Sequence, residues 1–286
     1  MYNGSVVEVQ EGFVVSGDID YSTGNVKYGK SVTVSGDVKA GFSVECGGDL
    51  QVHGTIEDAQ VAVGGNLLCR YGFIGQGKGL VDAKGDVNIS FMKNQTVRAR
   101  GTVTIAREAL NSTILARKEI RVSGNPLSVA GGNLFARDAI IVRSVGNASG
   151  IKTMLEVGTD FTLIEEMQKT EAHLAEMTEN SRKLIKTFKR YDKMQKTQRK
   201  LSPKDEFIFA KLRNTLVQYN REIKSLEQRK KLIAEKMSDF EKAFIKIEYS
   251  GMPGTILKFG ERQLLVREEI IGPKSIRLIR GEIRIL

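Results

Sequence analysis

The chain has no tryptophan, two cysteines, two histidines and four prolines among 286 residues. Cys46 and Cys69 cannot build a disulfide framework, and two cysteines alone do not complete a zinc site. With His53 and His173 as the whole histidine complement, no Ser-His-Asp arrangement can be argued. No apolar run reaches the roughly 18 residues that a transmembrane helix needs. No basic-then-apolar segment opens the chain as a secretory signal would, so a cytoplasmic location is expected. What the sequence does hold is glycine, 29 residues of it, in a chain that is 41% hydrophobic and 27% charged. That balance belongs to a folded domain rather than a disordered one. Many glycines with few prolines point to tight, repeated turns.

The repeat is visible in the first half. An apolar residue recurs six positions before another, in the pairs Phe13/Ile19, Val32/Val38, Val44/Leu50, Val61/Leu67, Val81/Val87, Val97/Val103, Ile114/Ile120 and Leu134/Ile140. Two positions after each first member lies a small or apolar residue (Cys46, Val63 and Ala99 among them). Two positions after each second member lie Tyr21, Ala40, Val52, Cys69, Ile89, Ile105, Val122 and Val142. Period-two alternation places all of these inward. Between the members stands Gly17, Gly36, Gly48, Gly65, Gly85 or Gly101, often followed by Asp or Asn; Lys118 and Asp138 break the rule. Each copy reads as strand, turn, strand, with glycine expected for positive φ. One such unit cannot bury its own apolar face, but stacked units can. The expected fold is mainly β: a right-handed parallel β-helix of about eight or more coils, over residues 1–158. The hand follows the usual sense of parallel crossovers, because a variable loop interrupts the six-residue step.

From 159 to 248 the texture changes, with no glycine and only Pro203. Apolar residues fall at heptad spacing: Leu174, Met177, Leu184, Phe188 and Tyr191, then Leu212, Leu216, Tyr219, Ile223, Leu226, Ile233 and Met237. This predicts a long antiparallel coiled-coil hairpin, with Ser202 capping the second helix and Pro203 at its first position. Gln195 and Gln198 occupy the seam near the turn, so the tip is expected to be more polar and looser. Strand texture returns over 249–286, and this segment is expected to rejoin and cap the β-helix.

Net charge is +10 and unevenly placed: +1 over 1–158, +6 over 159–248 and +3 over 249–286. Nine basic residues and one acidic residue, Asp192, lie between Arg182 and Lys200. Lys186, Lys189, Arg190, Lys193, Lys196, Arg199, Lys200 and Lys204 are therefore the candidate partner-binding residues, suited to a protein with an acidic surface. Nucleic acid is disfavoured because stacking aromatics are few and no binding motif appears; peripheral membrane contact stays open. A solvated helix face is the plain alternative.

Asp18, Asp37, Asn66, Asp49 and Asp86 are expected to stack along one edge. Stacked carboxylates suit a divalent cation, but Asp beside Gly also makes a good turn by bonding local N–H groups, and that reading is preferred. Gly75-Gln76-Gly77-Lys78-Gly79 lacks phosphate-loop spacing and reads as a loop. His53 reads as a turn residue, and Cys46 and Cys69 as small core residues. No catalytic, cofactor-binding or metal-ligating residue is assigned.

The units Gly17-Asp18-Ile19, Gly36-Asp37-Val38 and Gly85-Asp86-Val87, with Val145-Gly146-Asn147-Ala148-Ser149-Gly150 and Leu155-Glu156-Val157-Gly158 before a helical segment, resemble the flagellar assembly protein A family. The resemblance runs from about Gly12 to the end and lies in the order of parts. It implies a parallel β-helix interrupted by a coiled-coil hairpin, a role in bacterial flagellar assembly or placement, and no catalytic residues. Many members carry an N-terminal domain before the repeats, which this chain is expected to lack. The expected function is a non-enzymatic scaffold or adaptor with a rigid platform and a protruding basic arm. The alternative is a cytoskeletal or cell-division scaffold of the β-helical type. An acyltransferase is disfavoured by the interrupted step and the histidine shortage.

Overall fold

The computed structural model describes residues 12–125, 128–197, 202–237 and 242–286. The chain divides into two units, one of residues 12–161 with 242–286 and one of residues 162–237.

The first unit is a parallel β-solenoid of about eight turns with three ladders. The first ladder stacks Phe13, Val32, Leu50, Leu67, Val87, Val103, Ile120, Ile140 and Ile245 in register. The second stacks Val26, Val44, Val61, Val81, Val97, Ile114, Leu134, Leu155 and Leu257. The third is narrower and stacks Ile19, Val38, Ile56, Phe73, Met92, Ala109, Val129, Val145 and Gly251. Beyond the first coil these columns form one continuous core. Val38, Ile56, Phe73, Met92, Ile114 and Ile140 have no exposed surface. At a spacing of about 4.8 Å between paired strands, nine rungs span roughly 40 Å.

The six-residue step is real, but the eight pairs mix two corners. Phe13/Ile19 and Val32/Val38 join the first ladder to the third; the other six join the second ladder to the first. The third ladder escapes a two-strand reading because it contributes one inward residue per coil in the early turns. Tyr21 and Ala40, expected inward, are exposed for that reason, since the chain turns away immediately after Ile19 and Val38. Cys46 and Cys69 do point inward and are buried.

The turn glycines also work differently from expectation. None of Gly17, Gly36, Gly48, Gly65, Gly85 or Gly101 has positive φ. Gly17, in the first coil, has open space around it; the other five are required by close approach. A Cβ on Gly54 would overlap Asp37 Oδ1 and lie 2.5 Å from the Gly36 carbonyl oxygen of the coil beneath. A Cβ on Gly101 would overlap Asp86 Oδ1 and lie 2.8 Å from the Gly85 oxygen.

At the far end the register turns antiparallel. Arg262–Leu265 pairs with Thr255–Phe259, Lys274–Ile279 with Phe244–Ile247, and Glu282–Ile285 with Lys274–Ile279. These strands lie along the last rungs and bury Val266, Ile270 and Ile276.

The second unit is a helical hairpin of α1 (Phe161–Thr197) and α2 (Pro203–Met237). The Ser202 Oγ accepts the Asp205 N–H at 3.2 Å, which caps α2, and donates to Asp205 Oδ2 at 2.6 Å. The helices run antiparallel, as shown by Arg229 with Glu166 (2.7 Å), Lys230 with Glu171 (2.7 Å), His173 with Glu222 (3.4 Å) and stacked Phe188 and Phe209 (4.8 Å). The seam positions are the least exposed: Ser181, Leu226 and Ile233 are buried, and Leu174, Met177, Leu184, Leu212, Leu216 and Ile223 are half-buried. Gln195 is exposed. No helix among the described residues is long and apolar enough to cross a membrane.

Candidate functional site

The distal part of the hairpin carries the predicted basic residues. Lys186, Lys189, Arg190, Lys193 and Lys196 project from the last three turns of α1, and Lys204 from the first turn of α2; all are exposed. Arg199 and Lys200 lie outside the described residues. Helical spacing decides what the six can do together. Lys186, Lys189, Arg190 and Lys193 are three and four apart, so they line one face, and Lys196 continues it.

Charge along the hairpin is segregated. Near the base acids and bases are mixed: Glu166–Arg229 and Glu171–Lys230 pair across the helices, His173 Nε2 lies 3.4 Å from Glu222, and Glu179–Arg182 pairs within α1. Toward the tip the acids thin out to Asp192, Asp205 and exposed Glu206. Lys196 bonds Asp192 at 2.8 Å, and Asp205 is engaged by Ser202. Lys186, Lys189, Arg190 and Lys193 have no carboxylate partner among the described residues. Sequence reasoning overlooked the aromatic component here. Phe207 is 71% exposed, and Phe188 and Phe209 stack across the helices. Phe188 carries a heptad signal, whereas Phe207 falls off the seam and offers only its position.

The aspartates form two columns on different corners, not one edge. Asp18 Oδ1 accepts the Asp37 N–H and Asp37 Oδ1 the Thr55 N–H, each at 2.7 Å. On the other corner Asp49 accepts from Asn66 (2.7 Å), Asn66 from Asp86 (2.8 Å) and Asp86 from Thr102 (2.8 Å). Each oxygen therefore reaches the backbone of the next coil rather than its own turn, and is committed to a peptide N–H. Lys39 bridges Asp37 (2.7 Å) and Glu57 (3.1 Å), and those carboxylates hold its ammonium above the usual lysine range. Burial would raise Asp37, but bonds from Lys39 and Thr55 outweigh it and hold the carboxyl below the ordinary value. Among the described residues no three His, Cys, Asp or Glu side chains converge as a metal site.

The loop Gly75-Gln76-Gly77-Lys78-Gly79 wraps an anion of its own. The Asp58 carboxylate accepts the Gln95 Nε2 at 2.6 Å and the N–H groups of Gln76 (2.8 Å) and Lys78 (3.0 Å). The Gln95 amide is the largest influence holding Asp58 below the ordinary carboxylate range. Glycine is forced here: Gly77 has φ 92°, and a Cβ on Gly79 would lie 2.8 Å from the Phe73 ring. His53 sits in a corner with its N–H on the Val34 carbonyl (2.9 Å). Burial pushes Cys69 up to about 12 and raises Cys46 as well, so neither thiol is primed as a nucleophile.

The chain matches the family model of the flagellar assembly protein A beta solenoid domain (FapA) over residues 11–283. No curated protein and no solved structure matches it. The matched span takes in the solenoid, the helical hairpin and the antiparallel strands together. The chain therefore belongs to the flagellar assembly protein A beta-solenoid family, whose name ties it to the building of the flagellum.

Proposed function

We propose that this protein is a non-enzymatic scaffold or adaptor in bacterial flagellar assembly or placement. The solenoid serves as a rigid platform, and the hairpin, as a coiled coil, captures a protein with an acidic surface. The supporting observation is the charge segregation. Near the base acidic and basic residues are mixed and some pair across the helices, while the distal face gathers Lys186, Lys189, Arg190 and Lys193, all exposed and without carboxylate partners among the described residues. Unmatched charge of one sign on one face is suited to fast, selective encounter with an oppositely charged surface. Phe207 is exposed in the same distal part of the hairpin.

The test is genetic first. Deleting the gene should remove or misplace flagella at normal cell length. Complementation with Lys189→Glu, Arg190→Glu and Lys193→Glu together should fail, although the protein accumulates and unfolds at the wild-type temperature. Normal flagella with filamentous or misshapen cells would overturn the assembly role. Full rescue by the triple variant would remove the hairpin tip as the capturing surface.

A further inference from the structure

The strand Glu282–Ile285 is bonded along one edge only. Its partner is Lys274–Ile279, and among the described residues nothing pairs with its other edge. Ser275 and Leu286 exchange both backbone bonds, at 3.1 and 2.8 Å. Antiparallel alternation then turns the N–H and C=O groups of Ile283 and Ile285 outward. Such an edge is a template for another strand unless it is blocked, and here no proline, bulge or lysine blocks it.

Beside this edge lies an apolar groove of about 790 Å³ lined by Leu265, Val266, Ile270, Ile271 and Ile285. Ile271 is 74% exposed, Leu265 51% and Ile285 42%. The groove's rim carries Arg267, Glu268, Glu269 and Lys274, two charges of each sign. A rim of balanced sign has no preference for a uniformly acidic or basic partner, but it complements its own two-fold copy.

We propose that this edge is a homodimer interface in which Glu282–Ile285 pairs antiparallel with the same strand of a second copy, with Ile283 on the two-fold axis. The register follows from charge. Centring on Ile283 sets Glu282 opposite Arg284 of the second copy, twice by symmetry. Centring on Arg284 would oppose two guanidinium groups. Cross-strand pairs of opposite charge stabilise and like pairs destabilise. An isologous contact closes on itself, so it yields dimers rather than filaments.

Light scattering and sedimentation across a dilution series test this on the full chain. The wild type is expected at twice the 31.6 kDa chain mass. Glu282→Arg or Arg284→Glu alone should weaken dimerisation about thirtyfold, the scale of two cross-strand ion pairs turned repulsive. The double swap should restore it. Both side chains are exposed, so unchanged thermal unfolding confirms that the single variants fold. Mixing Glu282→Cys with Arg284→Cys should give a disulfide-linked pair that neither forms alone; the buried native thiols do not interfere. A monomer at every attainable concentration overturns the proposal. So does a dimer indifferent to both single changes, a swap without rescue, or Arg284→Cys linking to itself.

Discussion

The bond from a turn oxygen to the next coil's N–H sets which residues the turn tolerates. Where one coil carries Asp or Asn, the following coil carries glycine at the preceding position, because the oxygen occupies the space of a Cβ. Where the bridging residue is Thr55 or Thr102, the next coil carries Tyr71 or Lys118 instead. Gly54→Ala should therefore destabilise the solenoid by about 2 kcal/mol, as overpacking against backbone does. Lys118→Ala, at the equivalent place, should stay within about 0.5 kcal/mol. Denaturant midpoints compare the two, and Asp86→Ala should partly relieve Gly101→Ala. Acid sensitivity comes from the same carboxylates. Asp37 and Asp58 titrate below their ordinary value when folded, so their contribution is complete above the unfolded pKa of about 4 and is lost as pH falls through the folded one. Thermal midpoints should be flat from pH 7 to about 5 and drop below about 4, less steeply in Asp58→Asn. The sequence displayed the Gly-Asp pairs but not their reach. Turn propensity explains glycine locally, whereas the real constraint acts through bonds between residues 16 to 20 apart.

Among the elements, the hairpin is the clearest case of legible sequence. Loss of glycine, a heptad seam and the Ser202-Pro203 start located both helices, and the cross-helix pairs fall along one antiparallel register. The solenoid corners were harder. The third ladder gives one inward residue per early coil, and its spacing to the second ladder varies from five residues (Met92 to Val97) to ten (Val145 to Leu155). The corner from the second ladder to the first, by contrast, holds a constant step, and the hairpin is inserted at that corner in the last turn, between Val157 and Ile245. Elsewhere a three-residue turn suffices there, as Gly47-Gly48-Asp49 shows between Cys46 and Leu50. Replacing residues 158–244 by Gly-Gly-Asp should therefore leave a solenoid that unfolds cooperatively, with the loss of helical circular dichroism as its main spectral change. Collapse of the β signal would show that the insertion is needed to fold the last turn. Around the insertion, Glu156 is buried and bonded by Lys258 at 2.9 Å and by Thr159 at 2.7 Å, while Arg117 holds buried Asp160 at 3.2 Å. Losing one partner of such a pair strands a buried charge. Lys258→Met should lower the midpoint more than the exposed change Lys27→Met.

For the whole molecule, two surfaces carry contrasting chemistry: a predominantly basic hairpin end, and a free strand edge whose charges balance. The first was visible in the sequence as a run of basic residues. The second was not, because no composition window shows that Glu282 and Arg284 stand on an unpaired edge. The two surfaces separate in a single experiment, since raising salt should weaken capture by the hairpin while the apolar centre of the dimer contact persists. The inter-coil bond also has a direction. In the two columns each Asp or Asn oxygen reaches forward to the coil that follows and none reaches back. A coil is thus licensed by the residue before it and makes one demand on the residue after it. A duplicated segment that begins at a turn glycine and ends just before the next, such as 48–64, meets at its junctions the same two neighbours it left. A solenoid of this construction can lengthen or shorten by whole turns through simple duplication or loss, whereas gaining or losing part of a turn leaves an acidic side chain facing a residue with no room for it.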